Sequence, residues 1–409
     1  MSKIAIVTSG FLPVPATKGG AVENLIINLL NQHEKSNVKT EFIVFSDYDE
    51  KAKKIAENYK KTRFIFIKSN KVVNILDRII FFIAKKILKK KNSQSYRYIF
   101  RRFSYLNKVS KLLKKNSYDK VLLENHPTHY LALKWRKNYK KYENKYYYHC
   151  HNEFIGTYGC EKIIENTNKI ICVSQYISYY LQNYLKLPQS KFLVLRNGIE
   201  SEKFDIVLSE QEKVQIRNQF GVEKDEFLIV FVGRFVPEKG IKELVHSLEY
   251  VRNQNYKLLI VGSPLNDLKV KTDYQVEVDA LIKDNDKVIF TGYIEYCKIP
   301  KIYKTADLVV LPSICNDAAP LCVIETLVSN APLISTECGG IPEYAKDGSA
   351  ILLRRDNNLV ENIAKSIDLC IDNQQICMDM KDSSKIIAKE FTLERYYHNF
   401  VESVGEENE

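Results

Sequence analysis

DEFLIVFVGRFVPEKGIKELVHSLEYV, residues 225–251, decides how this chain folds. Its first nine residues are an apolar run of strand length, and GRFVPEKG (233–240) has the glycines and proline of a turn. The rest places Ile241, Leu244, Val245, Leu248 and Val251 on one face of a helix. A buried strand that turns into an amphipathic helix is half of a βαβ unit. Arg234 and Lys239 then sit beside a helix N-terminus, where free N–H groups and the dipole favour an anion. Two cations added there suit a diphosphate without a metal.

The same rhythm runs outward in both directions. Downstream, YKLLIVG (256–262), DKVIFTG (286–292), DLVVLPS (307–313) and PLISTE (332–337) read as strands between helices. Upstream, IAIVTSG (4–10), TEFIVFSD (40–47), TRFIFIK (62–68), DKVLLEN (119–125) and KYYYHC (145–150) do the same. Alternation of this kind predicts parallel sheets covered on both faces. The expected architecture is α/β, with two Rossmann-like doubly wound domains facing a cleft. Residues 1–204 form the first domain, 205–224 a polar linker and 225–389 the second domain. A helix over 390–409 is expected to pack back on the first. In open sheets of this kind ligands bind beyond the carboxyl ends of the strands.

The 409 residues are too many for one ordinary core, which agrees with two domains. Nine cysteines without a CxxC pair exclude a disulfide framework and a zinc cluster, and fit a reducing cytoplasm. MSKIAIVTSG reads as a strand rather than a secretory leader, and no apolar run reaches the roughly 18–20 residues of a membrane span. Charge is uneven: residues 51–115 hold 21 Lys and Arg against Glu57 and Asp77, so they carry +19 and the rest −8 of the net +11. Within that segment DRIIFFIAKKILKKKN (77–92) follows an apolar patch with Lys85, Lys86, Lys89, Lys90 and Lys91. This pattern fits an anionic membrane surface, bound through residues 77–115. No nucleic-acid motif accompanies the charge, so no nucleic acid is expected as partner.

A second loop adds to the phosphate reading. After DLVVLPS comes ICNDAAPLCVIETLVSN, in which Pro320 suits a first helical turn. The amides of Leu321, Cys322 and Val323 would then be unpaired donors. Asp317 and Glu325 lie eight residues apart, about 12 Å if wholly helical, wider than the roughly 5–9.5 Å of glycosidase carboxylates. One extended ligand held by a carboxylate at each end fits better.

These residues carry a resemblance. GRFVPEKG, IVGSP, FTGYI, DAAPLCVIE and CGGIPEYAKDGSAILL, with KGGAVENLI and VLRNGIESEKF upstream, resemble the family 4 glycosyltransferases, retaining enzymes of GT-B architecture. FLPVPATKGGAVE and HCHNEF look closest to bacterial members that build cell-surface or spore-coat glycans. By that resemblance Arg234 and Lys239 bind the diphosphate of a nucleotide-sugar, Glu325 the ribose and Asp317 the donor sugar. Gly19 and Gly20 let backbone approach the phosphates, Ile294 lies by the base, and Leu321 and Cys322 line the donor site. His151 approaches the anomeric centre, with His149 as the alternative. The resemblance implies a nucleotide-sugar as substrate, no cofactor and no required metal. The acceptor would be a glycan, lipid-linked, met at the inner face of the membrane.

Two positions depart from the family pattern and bear on the donor sugar. Asp317 stands for the usual first Glu of E-x7-E, and Pro320 for a common Gly. The strings Asp47-Tyr48-Asp49 and Asp284-Asn285-Asp286 read as solvated turns rather than metal sites. A nucleotide-binding dehydrogenase or epimerase would need GxGxxG after the first strand, which TSGFLPVPATKGG lacks. A non-catalytic binding protein of the same fold is the other alternative.

Overall fold

Short runs of β-branched and aromatic residues become strands along the whole chain. The computed structural model describes residues 2–83, 98–154, 156–263, 272–283 and 285–405. Seven parallel strands form the first sheet: β1 (Ser2–Val7), β2 (Thr40–Asp47), β3 (Thr62–Ile67), β4 (Lys120–Glu124), β5 (Tyr146–Cys150), β6 (Ile170–Cys172) and β7 (Phe192–Val194). Their order is β3-β2-β1-β4-β5-β6-β7. The second sheet holds β8 (Phe227–Val232), β9 (Tyr256–Val261), β10 (Val288–Gly292), β11 (Leu308–Leu311), β12 (Leu333–Thr336) and β13 (Ile351–Leu353), ordered β10-β9-β8-β11-β12-β13 and again parallel. In both, the order reverses beside the first strand, which is the doubly wound pattern. Central strands read as unbroken apolar runs because helices cover both faces. Ile4 to Val7 and Leu228 to Phe231 are accordingly buried.

Two units partition the chain: residues 1–195 with 396–409, and residues 196–395. The expected linker over 205–224 is therefore misplaced. Glu210–Asn218 is a helix of the second unit, opened by a Ser209–Glu212 capping box. Arg217 ties it down, donating to the Thr305 carbonyl at 2.8 Å and to Asp307 at 2.6 Å. None of this helix's residues is buried, so no apolar period marked it in the sequence. The strands β6, β7 and β13, three residues each, were likewise too short to show a period.

The last helix, Leu393–Ser403, buries Tyr396, Tyr397, Phe400 and Val401 in a cluster with Ile4, Ile26, Leu29 and Phe42 of the first unit. His33 fixes it further: one ring nitrogen lies 2.7 Å from the Tyr397 hydroxyl and the other 2.8 Å from the Thr40 carbonyl.

Candidate active site

In the second unit, β8 delivers the chain into Gly233–Gly240, where Pro237–Lys239 makes one tight turn before the helix Ile241–Ser247. Gly240 is required there by both conformation and space. Its φ is +71°, and a Cβ would overlap the carbonyl oxygen of Pro312, in the loop after β11. The Ile314 amide donates to the Glu238 carbonyl at 3.0 Å, so loops from adjacent strands are stitched backbone to backbone.

That stitching sets Lys239 against Asp317. The ammonium donates to the carboxylate, and both groups are largely shielded from water. Burial alone would pull the Lys239 pKa down; Cys322 and Asp317 beside it outweigh burial and leave the value raised. Arg234 is exposed, and its guanidinium has no partner among the described residues. The backbone of Asp317 is fixed as well, its carbonyl accepting from the Gly340 amide at 2.7 Å.

The helix after this loop runs Leu321–Val328. Pro320 is its cap, with φ −71° and ψ 115°, rather than a residue of its first turn. Its carbonyl accepts from the Val323 amide at 3.1 Å, so Val323 is not an unpaired donor. Leu321 and Cys322 stand at the helix start, and burial pushes the Cys322 thiol up to about 11 against the pull of the Lys239 charge. One turn on, Glu325 is buried, accepting from the Tyr296 hydroxyl at 2.9 Å and the Tyr303 hydroxyl at 3.3 Å. Burial raises its pKa to about 7, against the pull of the two phenols. Ile294, after β10, packs on the second unit's core and with Tyr293 and Phe220 lines a cavity of about 710 Å³. Thus Arg234, Lys239, Asp317, Leu321, Cys322 and Glu325 occupy two neighbouring strand-end loops and the helix that follows one of them.

In the first unit, Gly19 and Gly20 (φ +73° and +111°) precede the helix Ala21–Lys35. A Cβ on Gly20 would overlap the Glu23 carboxylate, which accepts from the Ser9 hydroxyl at 2.7 Å. At the ends of β4 and β5, Glu124 gathers both candidate histidines. His151 Nε2 lies 3.1 Å and His149 Nδ1 3.2 Å from Glu124 Oε2, and the two rings are 4.1 Å apart. Burial, then His149, pushes His151 down to about 4, so it is neutral at pH 7. Although burial opposes it, the histidines hold Glu124 ionised, at about 2. Each imidazole thus donates an N–H to one carboxylate; for the neutral His151 this fixes the tautomer and leaves Nδ1 as an acceptor. The ligand atoms of the three residues lie within 4.8 Å of one another, a grouping that could also hold a metal. Glu124 was not singled out in the sequence; its signal was an acid ending a buried strand, LLEN, next to one ending in HCH.

The Asp47–Asp49 string is not a solvated turn. Asp47 is buried and paired with Arg101. Asp49 caps the helix Glu50–Ala56 and takes Lys18 at 2.9 Å, which holds its pKa at about 2. Asp284 and the five lysines at 85, 86, 89, 90 and 91 lie outside the described residues. Before them, the helix Lys71–Phe82 exposes Val72, Ile75, Leu76, Ile79 and Phe82. Among the described residues no helix is long and apolar enough to cross a membrane.

Residues 19–203 match the family described as Glycosyltransferase Family 4, and residues 212–386 the family described as Glycosyl transferases group 1. The two matches share out nearly the whole chain, one to each half. The chain belongs to the family 4 glycosyltransferases. Among family relatives, an uncharacterized glycosyltransferase of Methanocaldococcus jannaschii is 32% identical over 196 residues, 47% of either chain. The lipopolysaccharide 1,2-N-acetylglucosaminetransferase of Salmonella typhimurium is 24% identical over 63% of this chain and 65% of its own. The chain thus spans about half to two thirds of the length of these curated relatives. The GT-B fold agrees: HepE of Anabaena, solved with UDP-glucose, aligns over 99% of both chains with a TM-score of 0.70 and 17% identity. A glycosyltransferase of Rickettsia africae aligns over 98% of this chain and 97% of its own at 0.74 and 18%.

Proposed function

We propose that this family 4 protein is a retaining glycosyltransferase that moves a hexose from a nucleotide-sugar to a lipid-linked surface glycan at the inner face of the cell membrane. The observation that carries the reading is Lys239, largely shielded against Asp317 on stitched loops, with Arg234 exposed in the same turn. A diphosphate arriving there takes Lys239 and Arg234 as its counterions and releases Asp317 to the hydroxyls of the donor sugar. Glu325 holds the ribose, Gly19 and Gly20 give the phosphates room, and Ile294 flanks the base.

In the reaction the acceptor oxygen bonds to the anomeric carbon as the bond to the diphosphate breaks. Attack on the face that the leaving group departs retains configuration, and the acceptor proton passes to the departing phosphate oxygen. Fixed cations stabilise the charge that develops there. His151, neutral and oriented by Glu124, presents an acceptor nitrogen to the donor sugar. The two cations replace a metal ion, so turnover survives excess EDTA. The names of two relatives, the lipopolysaccharide transferase and a teichuronic acid biosynthesis glycosyltransferase of Bacillus subtilis, support a surface glycan as product.

The test is a panel of UDP-, GDP- and TDP-sugars, read by thermal shift and by donor hydrolysis, with the anomer formed assigned by NMR. One donor should stabilise the protein and be turned over with retention. An inverted product, or no donor bound, would overturn the reading.

A further inference from the structure

Arg102 is a cation largely buried without an acid. It lies in the first unit on the helix Ile99–Lys115, and its chain neighbour Arg101 is neutralised by Asp47. Arg102 instead donates to His126 Nε2 at 2.8 Å and rests on the Phe11 ring, 5.2 Å from its centroid. Its Nε is buried with no acceptor. No carboxylate pairs with it among the described residues, and residues 84–97 contain no Asp or Glu. Burial lowers its pKa, and the nearby Tyr158 phenol only partly offsets this. His126 cannot neutralise it: an imidazole is neutral or cationic, and burial, then Arg102 itself, keeps this ring uncharged.

The surroundings are those of a recognition site rather than of a core. Phe11, from the loop after β1, stacks on Tyr98 at 5.7 Å, and Tyr158 stands 6.1 Å from His126 with 43% of its surface exposed. Tyr158 also holds a left-handed backbone, φ +53°. Behind His126, at 6.2 Å, the buried His129 ring has neither nitrogen bonded. Aromatic faces offer stacking area to a sugar ring, and a planar guanidinium matches the oxygens of a phosphate or carboxylate.

We propose that Arg102, with His126 and Tyr158 beside it and Phe11 beneath, recognises an oxyanion, phosphate or carboxylate, carried by the acceptor glycan. The word acceptor rests on the transferase reading; the binding does not. Removing one partner of a buried charge pair is strongly unfavourable, so a ligand that supplies the missing anion gains what the fold leaves unsatisfied.

The test uses the full chain with Lys239→Ala, which weakens anion binding in the second unit. Methyl glucoside 6-phosphate, methyl glucuronide and neutral methyl glucoside are titrated by calorimetry. One charged glycoside or both should bind at least ten-fold tighter than the neutral one, and whichever binds names the anion. Arg102→Met should erase that preference, and Arg102→Lys, which keeps charge but loses the fork, should reduce it several-fold. Arg102→Met strands no acid but loses the bond to His126, so its fold is checked by melting; if it fails to fold, Arg102→Lys carries the test. Equal binding of charged and neutral glycosides, or full preference in Arg102→Lys and Arg102→Met, overturns the proposal. Since no sugar transfer is read, failure of the transferase reading would appear separately, as absent donor binding.

Discussion

Lys239 and Asp317 hold each other, so each governs the other's availability. Replacing Lys239 or Arg234 by Ala should weaken nucleoside diphosphate binding about ten-fold or more, as loss of a charged hydrogen bond worth about 1.5–3 kcal/mol implies. Asp317→Asn should bind the bare nucleotide no worse, because it frees Lys239, yet turn over more slowly; calorimetry and steady-state rates separate the two. Glu325 supplies a pH signature. Its folded value of about 7 lies above the ordinary 4.5, so between these values the folded protein holds a proton that the unfolded chain has released. The stabilisation is full below pH 4.5 and is lost as pH rises through 7, a swing of about 3 kcal/mol. Urea unfolding should therefore show the wild type losing about that much relative to Glu325→Gln between pH 5 and 8. Arg234, Lys239 and Glu325 were legible because turn residues and a helical period fixed where they stand. Glu124 was not, since its partners arrive from the neighbouring strand and only register brings them together.

Loops and helices differ in how plainly they announce themselves. The turn at Gly240 was readable, but the reason it needs glycine, the Pro312 carbonyl, comes from another strand 72 positions along the chain. Gly240→Ala should destabilise the second unit by about 1–3 kcal/mol, the usual cost of a strained backbone, and weaken nucleotide binding with it. The helix Lys71–Phe82 poses the opposite case: its apolar stripe is evident in sequence and remains exposed in the fold. With about 1 kcal/mol from each nearby Lys or Arg, such a stripe suits reversible docking on anionic lipid. Cosedimentation should require anionic vesicles, weaken with salt, and fall sharply when Ile75, Ile79 and Phe82 become Ser. Equal binding to neutral vesicles would sink the membrane reading. The helix Glu210–Asn218 escaped notice because an exposed helix without buried positions reads as linker.

Across the whole molecule, the depressed imidazoles of the first unit and Glu325 of the second respond oppositely to acid. The first unit half-buries His126 and buries His151, with values near 3 and 4, and buries His129, held well below its ordinary 6.5. All three pick up a proton on unfolding, so the stability they contribute is lost as pH falls from 6.5 toward 4, by up to about 1.4 kcal/mol per pH unit for each ring, while the burial-raised Glu23 and Asp47 offset part of it. Glu325 works the other way in the second unit. Fluorescence of the lone Trp135 lies in the first unit, so its melting midpoint should drop between pH 7 and 5. A midpoint that holds steady or rises would show that these rings titrate normally. The doubly wound sheets themselves were legible from alternating runs, whereas the boundary was not, because the chain changes units in a stretch with no compositional break. One feature of that boundary reaches back to the ribosome. The second unit is a single continuous stretch, but the first needs Tyr396, Tyr397, Phe400 and Val401 from the far end. During synthesis the nascent first unit waits, with Ile26, Leu29 and Phe42 uncovered, until some 200 further residues have emerged. The part made first is the part finished last, and chaperones have that interval in which to bind it.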